Sequence, residues 1–139
     1  MAHGIGRTKG GRNTKLHAVC DEKGRPCVLL LTPGNVHDCK VAQLCIEAMP
    51  PSAELVADKG YDSQAARDLL VWTGITPQIP SRGTPTPAGL GRVRWPVERT
   101  ISWLKQFRRL RIRWDRTANV TQAFIAIACS LIAWRYLNN

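Results

Sequence analysis

Residues 15–32 constrain the fold most. Lys15 to Cys20 alternates Leu16, Ala18 and Cys20 with Lys15, His17 and Val19, the period of a strand with one buried face. Asp21, Gly24 and Pro26 then supply turn chemistry, and CVLLLT reads as a second, more buried strand, so the two form a hairpin. Pro33-Gly34-Asn35 breaks the run. Asp38 is placed to cap a helix over 39–49 with Val41, Leu44, Cys45 and Ala48 on one face. Glu54 to Asp58 is a short apolar strand ending in a carboxylate. Asp62 caps a helix over 63–73, with Ala66, Leu69, Leu70 and Thr73 at helical spacing and Gly74 at its end. ITPQIP is a strand that Pro77 confines to an edge. SRGTPTPAGLG, at 81–91, is an exposed loop. Val97, Ile101, Leu104, Phe107 and Leu110 trace the stripe of an amphipathic helix, and a last helix over 119–137 is apolar almost all round. Its uncharged run FIAIACSLIAW, 11 residues, falls short of the ~20 that span a bilayer, so it reads as a core helix. The order is that of an α/β domain opening on an antiparallel hairpin: a mixed sheet with helices on both faces.

Charge divides the same chain differently. With 20 Lys and Arg against 10 Asp and Glu, the 139 residues carry a formal +10. Residues 1–20 hold Arg7, Lys9, Arg12 and Lys15 with no acid, and 92–116 hold nine basic groups against Glu98 and Asp115. Two positive segments flanking a slightly acidic middle suit a polyanion, nucleic acid before an anionic membrane surface. Five cysteines without a C-x-x-C pair argue against a disulfide framework and a zinc ribbon, and the N-terminus lacks the apolar core of a signal peptide. The expected setting is cytoplasmic. Gly10-Gly11 lies between basic residues, but no nucleotide-binding glycine motif accompanies it.

Two carboxylates stand out. Asp58 ends a strand, where open α/β sheets place active-site groups, and Glu98 sits in the first turn of a helix otherwise basic. Together they could bind a divalent metal among phosphate-binding cations. A second reading stays open from spacing alone: Asp58 opens the turn at Lys59-Gly60, and Glu98 complements the helix dipole. His37-Asp38 reads as a helix cap rather than a proton-transfer pair. Trp103 and Trp114, among arginines, suit either stacking on unpaired bases or packing.

The stretches GRTKGGRNTKLHAVCDEKGRP, LLLTPGNVHD, VADKGYDS, Ile-Pro-Ser-Arg and RVRWPVERTISWLKQFRRLRIRWDR stand in one order along nearly the whole chain. The sequence thereby resembles the C-terminal part of a DDE transposase from bacterial insertion sequences, of the group with a Tyr-Arg-Glu-Lys signature. The resemblance implies an RNase H-like mixed sheet with flanking helices. It implies three acidic residues holding two ions, Mg²⁺ or Mn²⁺, with Asp58 the second and Glu98 the third. Arg94, four before Glu98, and Lys105, seven after it, match the signature as catalytic residues. Its aromatic position falls on Gly91, with Trp95 the substitute. The family's first Asp lies on a central strand upstream of the Arg-Thr-Lys-Gly-Gly segment, and no Asp precedes Asp21 here.

The chain is therefore expected to be a partial catalytic domain over 1–139, truncated of its first, central strand and inactive alone, with 1–13 as a basic N-terminal segment. Arg99, Lys105, Arg108, Arg109, Arg111 and Arg113 are the expected DNA-binding residues. Implied partners are DNA (transposon ends and target), an upstream-frame product or intact transposase, and further copies of the chain when active, in a nucleoid-associated setting without a membrane. The alternative is a non-catalytic DNA-binding remnant or regulator.

Overall fold

The computed structural model describes residues 3–81, 83–85 and 89–138. The chain divides into two compact units. One holds the residues up to Val36 and from Pro96 onward, and the other is His37–Trp95.

The first unit is built on an antiparallel sheet. Strand β1 (Gly6–Thr8) pairs with the start of β2 (Gly11–Cys20), and the rest of β2 pairs with β3 (Pro26–Pro33), in the order β1-β2-β3. The expected β2–β3 hairpin is present, and β2 reaches further back than the alternating pattern suggested. His17 corrects the expected one-faced burial: it is 2% exposed, while Leu16, Ala18 and Cys20 are half-buried. Its ring Nε2 meets Thr32 Oγ1 at 2.8 Å, and that bond makes an imidazole tolerable under cover.

Helix α3 (Leu90–Gln106) contains Pro96, where the units divide. A short helix α4 (Arg108–Arg111) follows, then α5 (Ala118–Leu137). Leu104 packs against Ala128 and Ile132, with Leu16, Leu29, Trp103, Phe107, Leu110 and Tyr136 around them. The stripe expected through Leu104, Phe107 and Leu110 is therefore used, though the helix breaks at Phe107.

The apolar α5 is not buried all round. Thr121, Ile125, Ala128 and Ile132 face the core at helical spacing, while Val120, Ile127, Leu131, Trp134 and Leu137 are exposed. By length and composition α5, with mean hydropathy 1.5, could cross a membrane, a test that core helices also pass, and the 11-residue run understated its length.

The turn between β2 and β3 is fastened from both helices. Gly24 holds φ at +79°, a conformation open to glycine. The Lys23 carbonyl accepts from the Arg99 guanidinium and, at 2.6 Å, from the Tyr136 hydroxyl. Fully buried Thr100 has its hydroxyl 2.5 Å from Gly24 O and 2.9 Å from Pro96 O, and one hydroxyl hydrogen serves them in turn. Arg99 also lies over the Trp103 ring at 4.8 Å, and Trp103 meets Tyr136 edge-on.

The second unit holds α1 (Cys39–Ala48), β4 (Glu54–Val56), a 3-10 turn (Lys59–Tyr61), α2 (Gln64–Trp72) and β5 (Thr76–Gln78). Strands β4 and β5 pair in parallel, Leu55 opposite Pro77, so the proline lies on an edge as its missing N–H requires. The strands thus form two small sheets among the described residues, in place of the one mixed sheet expected. The core is Ala42, Ile46, Ala66, Leu70, Ile75 and Ile79.

Both expected helix caps are corrected. Asp38 is itself helical in φ and ψ and makes no capping bond, because a capping side chain needs an extended backbone. Ser63, extended, caps α2 by accepting from Ala66 N–H at 3.2 Å, and Asp62 instead pairs with Arg67 at 2.8 Å. The Arg67 guanidinium also donates to Ile79 O at 2.7 Å, tying α2 to the end of β5. Gly74 ends α2 at φ +74°, as expected. The face of α1 is shifted: Val41, Ala42, Cys45 and Ile46 are buried, while Leu44 and Ala48 are exposed. Of the expected loop 81–91, residues 82 and 86–88 lie outside the described residues; Ser81, Gly83, Thr84, Pro85 and Gly89 are exposed, and α3 begins at Leu90.

Thr100→Val keeps the side-chain shape and removes the hydroxyl, leaving the Gly24 carbonyl without that donor. The expected cost is about 1–3 kcal/mol, read as a lower urea midpoint at unchanged slope. A midpoint equal to the parent's would show that the turn is held without this bond.

Candidate active site and nucleic-acid interface

Asp58 follows β4 by two residues. Its backbone is extended, and its Oδ1 accepts the Gly60 N–H at 2.7 Å, which turns the chain out of the strand into the 3-10 turn. The half-buried carboxylate is thus held by its own loop. A second carboxylate converges on the same turn. A Cβ added to Gly60 would lie 2.8 Å from Asp58 Oδ1 and 3.0 Å from Asp38 Oδ2. Both oxygens therefore flank the bare α-carbon of Gly60. Burial pushes the neighbouring Tyr61 hydroxyl far above its ordinary value, and Asp38, Cys45 and Asp58 add to the rise. Sequence reasoning missed this approach of Asp38 to Asp58. The one available signal was a glycine two residues after an aspartate, at a turn where a side chain would not fit.

The signature residues share one helix. Arg94, Glu98 and Lys105 occupy α3 at intervals of four and seven, which places them along one stripe; Arg94 is half-buried, Glu98 and Lys105 exposed. Because α3 starts at Leu90, Glu98 stands in its interior rather than its first turn, which removes the dipole explanation of that carboxylate. Trp95, beside Arg94, is 46% exposed.

The arginines read as one basic run divide in two. Arg113 gives its guanidinium to His3 O, Gly4 O, Thr14 Oγ1 and Asp115 O, and so fastens the N-terminal residues to the segment before α5. Arg99 is committed to the β2–β3 turn. Arg109 pairs with Asp115 at 3.0 Å and lies over the Phe124 ring at 4.8 Å. Lys105, Arg108 and Arg111 are exposed. The two tryptophans part likewise: Trp103 packs on Tyr136, whereas Trp114 is 73% exposed beside exposed Arg116.

The five cysteines are free thiols, and burial pushes Cys129 up to about 11, so it stays protonated at neutral pH. Among the described residues no group of three or more His, Cys, Asp or Glu converges. The acidic donors present are all oxygen, the kind that hard divalent cations accept.

The two small sheets and their helices define an α/β protein whose C-terminal segment is strongly basic. The chain belongs to the transposase DDE domain family, whose model matches residues 2–133. It is 41% identical over 151 aligned positions to a putative transposase for insertion sequence element IS402 from Burkholderia cepacia, covering 95% of this chain and 72% of that protein. A putative transposase for IS6501 from Brucella ovis is 27% identical over 126 positions, 86% of this chain and 96% of the relative. The transposase for IS1106 from Neisseria meningitidis is 39% identical over 56 positions, 40% of this chain and 19% of its own length. No solved structure matches.

Gly60→Ala should destabilise the second unit, since the new methyl meets two carboxylate oxygens on a short turn. Overpacking of this kind costs about 1–3 kcal/mol, and denaturant unfolding reads it directly. Gly10→Ala, with no atom nearer than 4.0 Å, is the control and should change little. Equal midpoints for the two variants would mean that the carboxylates move aside freely.

Proposed function

We propose that this chain is the DNA-cleaving and strand-joining part of an insertion-sequence transposase, with Asp58 and Glu98 as metal-holding carboxylates and Lys105 and Arg94 as the cations that bind the reacting phosphate. The observation that carries the reading is that Glu98 and Lys105 stand two turns apart on one face of α3 with Arg94 one turn before Glu98, so that in this reading the carboxylate and the ammonium meet one phosphodiester. Asp58 and Glu98 would hold an oxygen-preferring divalent ion, Mg²⁺ or Mn²⁺, which when bound neutralises phosphoryl oxygens and acidifies its water. Lys105, exposed, binds a non-bridging phosphate oxygen; half-buried Arg94 orients the same group. Lys105, Arg108 and Arg111 carry the duplex.

A third carboxylate, carried on a further strand, completes the set in this reading, within an RNase H-like sheet. The edge of β2 supports it. Thr14 to Cys20 pair with β3 on one side and, among the described residues, with no strand on the other. Such an edge is a template for a further strand.

Two measurements test the reading. The chain should bind duplex DNA with little sequence preference, its log K falling with log salt by roughly 0.9 per phosphate contact. In a transposase carrying the upstream strand, Asp58→Ala and Glu98→Ala should each abolish metal-dependent nicking of transposon ends and leave DNA binding intact. Nicking that survives either change removes that residue from the site, and binding without any nicking by the parent leaves a non-catalytic DNA-binding module.

A further inference from the structure

The β1–β2 hairpin carries charge in an arrangement that its own fold does not answer. Its two-residue connection is Lys9-Gly10, and Gly11 holds φ at +101° to complete the turn. The register sets Arg7 directly opposite Arg12, so both side chains leave the same face of the ribbon, and both are exposed, as is Lys9 at the tip. Like charges directly opposed across antiparallel strands destabilise the pair. No acidic residue occurs before Asp21 in the sequence, and no carboxylate pairs with Arg7 or Arg12 among the described residues.

The hairpin is nevertheless firmly based. The Gly34 N–H donates to Asn13 O at 3.0 Å, Asn13 Nδ2 to Thr8 Oγ1 at 3.1 Å, and Thr8 Oγ1 to Gly11 O at 3.0 Å. Gly6 and Gly34 let the backbone close against Asn35 and Asn13, where a Cβ would collide. A ribbon this well anchored holds its two arginines together against their repulsion.

We infer that this hairpin is a second DNA-backbone site, distinct from the helical stripe, in which Arg7 and Arg12 fork onto one phosphodiester and Lys9 meets its neighbour. Opposed Cβ atoms lie about 4.5–5.5 Å apart, close enough for two guanidinium groups to share one phosphate. Binding then replaces a repulsion by two charge-assisted contacts. The inference rests on the DNA-acting reading above and adds residues that it did not use.

Fluorescence anisotropy with a short labelled duplex across a salt series tests it, on the 139-residue chain. R7Q/R12Q should weaken binding about tenfold at low salt and make the log K–log salt slope shallower by about 0.9, the one phosphate that the pair shares. R7K/R12K should keep the parental slope, and K9Q alone should lose about 0.9 of it. Without DNA, R7Q/R12Q should melt no lower than the parent, because a repulsion is gone. If R7Q/R12Q and K9Q keep the parental slope while R108Q/R111Q loses it, the hairpin site is overturned and the DNA-binding reading stands. A parent chain without salt-dependent binding overturns both.

Discussion

The fastening of the β2–β3 turn underlies the first unit. Two successive carbonyls, of Lys23 and Gly24, take donors from α3 through Arg99 and Thr100 and from α5 through Tyr136. A sheet edge, the helix bearing Glu98 and Lys105, and the C-terminal helix thereby share one small polar junction, with the Leu104–Ala128–Ile132 contact beside it. Directional bonds at the junction fix the rotation of α3 about its axis, which a greasy contact alone leaves loose. Glu98 and Lys105, on the part of α3 within this unit, inherit their orientation from that rotation.

Much of this was legible from patterns of type and period. The β2–β3 hairpin, the edge strand with Pro77, the glycine ending α2 and the helices followed from turn residues and apolar spacing. What periodicity misplaced were features set by a single bond or a single neighbour. Ser63 and Asp62 are both good caps, and a salt bridge to Arg67 decided between them. Asp38 lost its capping role because its own backbone is helical. His17 is buried with its ring bonded to Thr32, a pairing that no alternation rule encodes. The start of α3 lay seven residues earlier than a stripe beginning at Val97 could show, and that moved Glu98 from helix end to helix interior.

At the site the sequence marked Asp58 and the signature positions by resemblance and by placement, and it could not sort the arginines. Nine basic residues in 92–116 look equivalent in one dimension. Folding separates them by what lies opposite. Arg113 and Arg99 meet carbonyls and become structural, Arg109 meets Asp115, and Lys105, Arg108 and Arg111 are left facing water. The convergence of Asp38 on Asp58 is likewise a product of folding, since twenty residues separate the two.

The exposed stripe of α5 sets a boundary on the conditions in which such a protein works. Val120, Ile127, Leu131, Trp134 and Leu137 form an apolar flank on a helix whose one charge is Arg135. Two copies of a chain carrying +10 repel each other before those flanks can touch, and that repulsion is screened over about 8 Å at physiological ionic strength. Added salt therefore acts twice. In the DNA-binding reading proposed above, it would loosen the grip on a polyanion and at the same moment lower the barrier to contact between these flanks, whereas a bound duplex would neutralise the same cations at low salt.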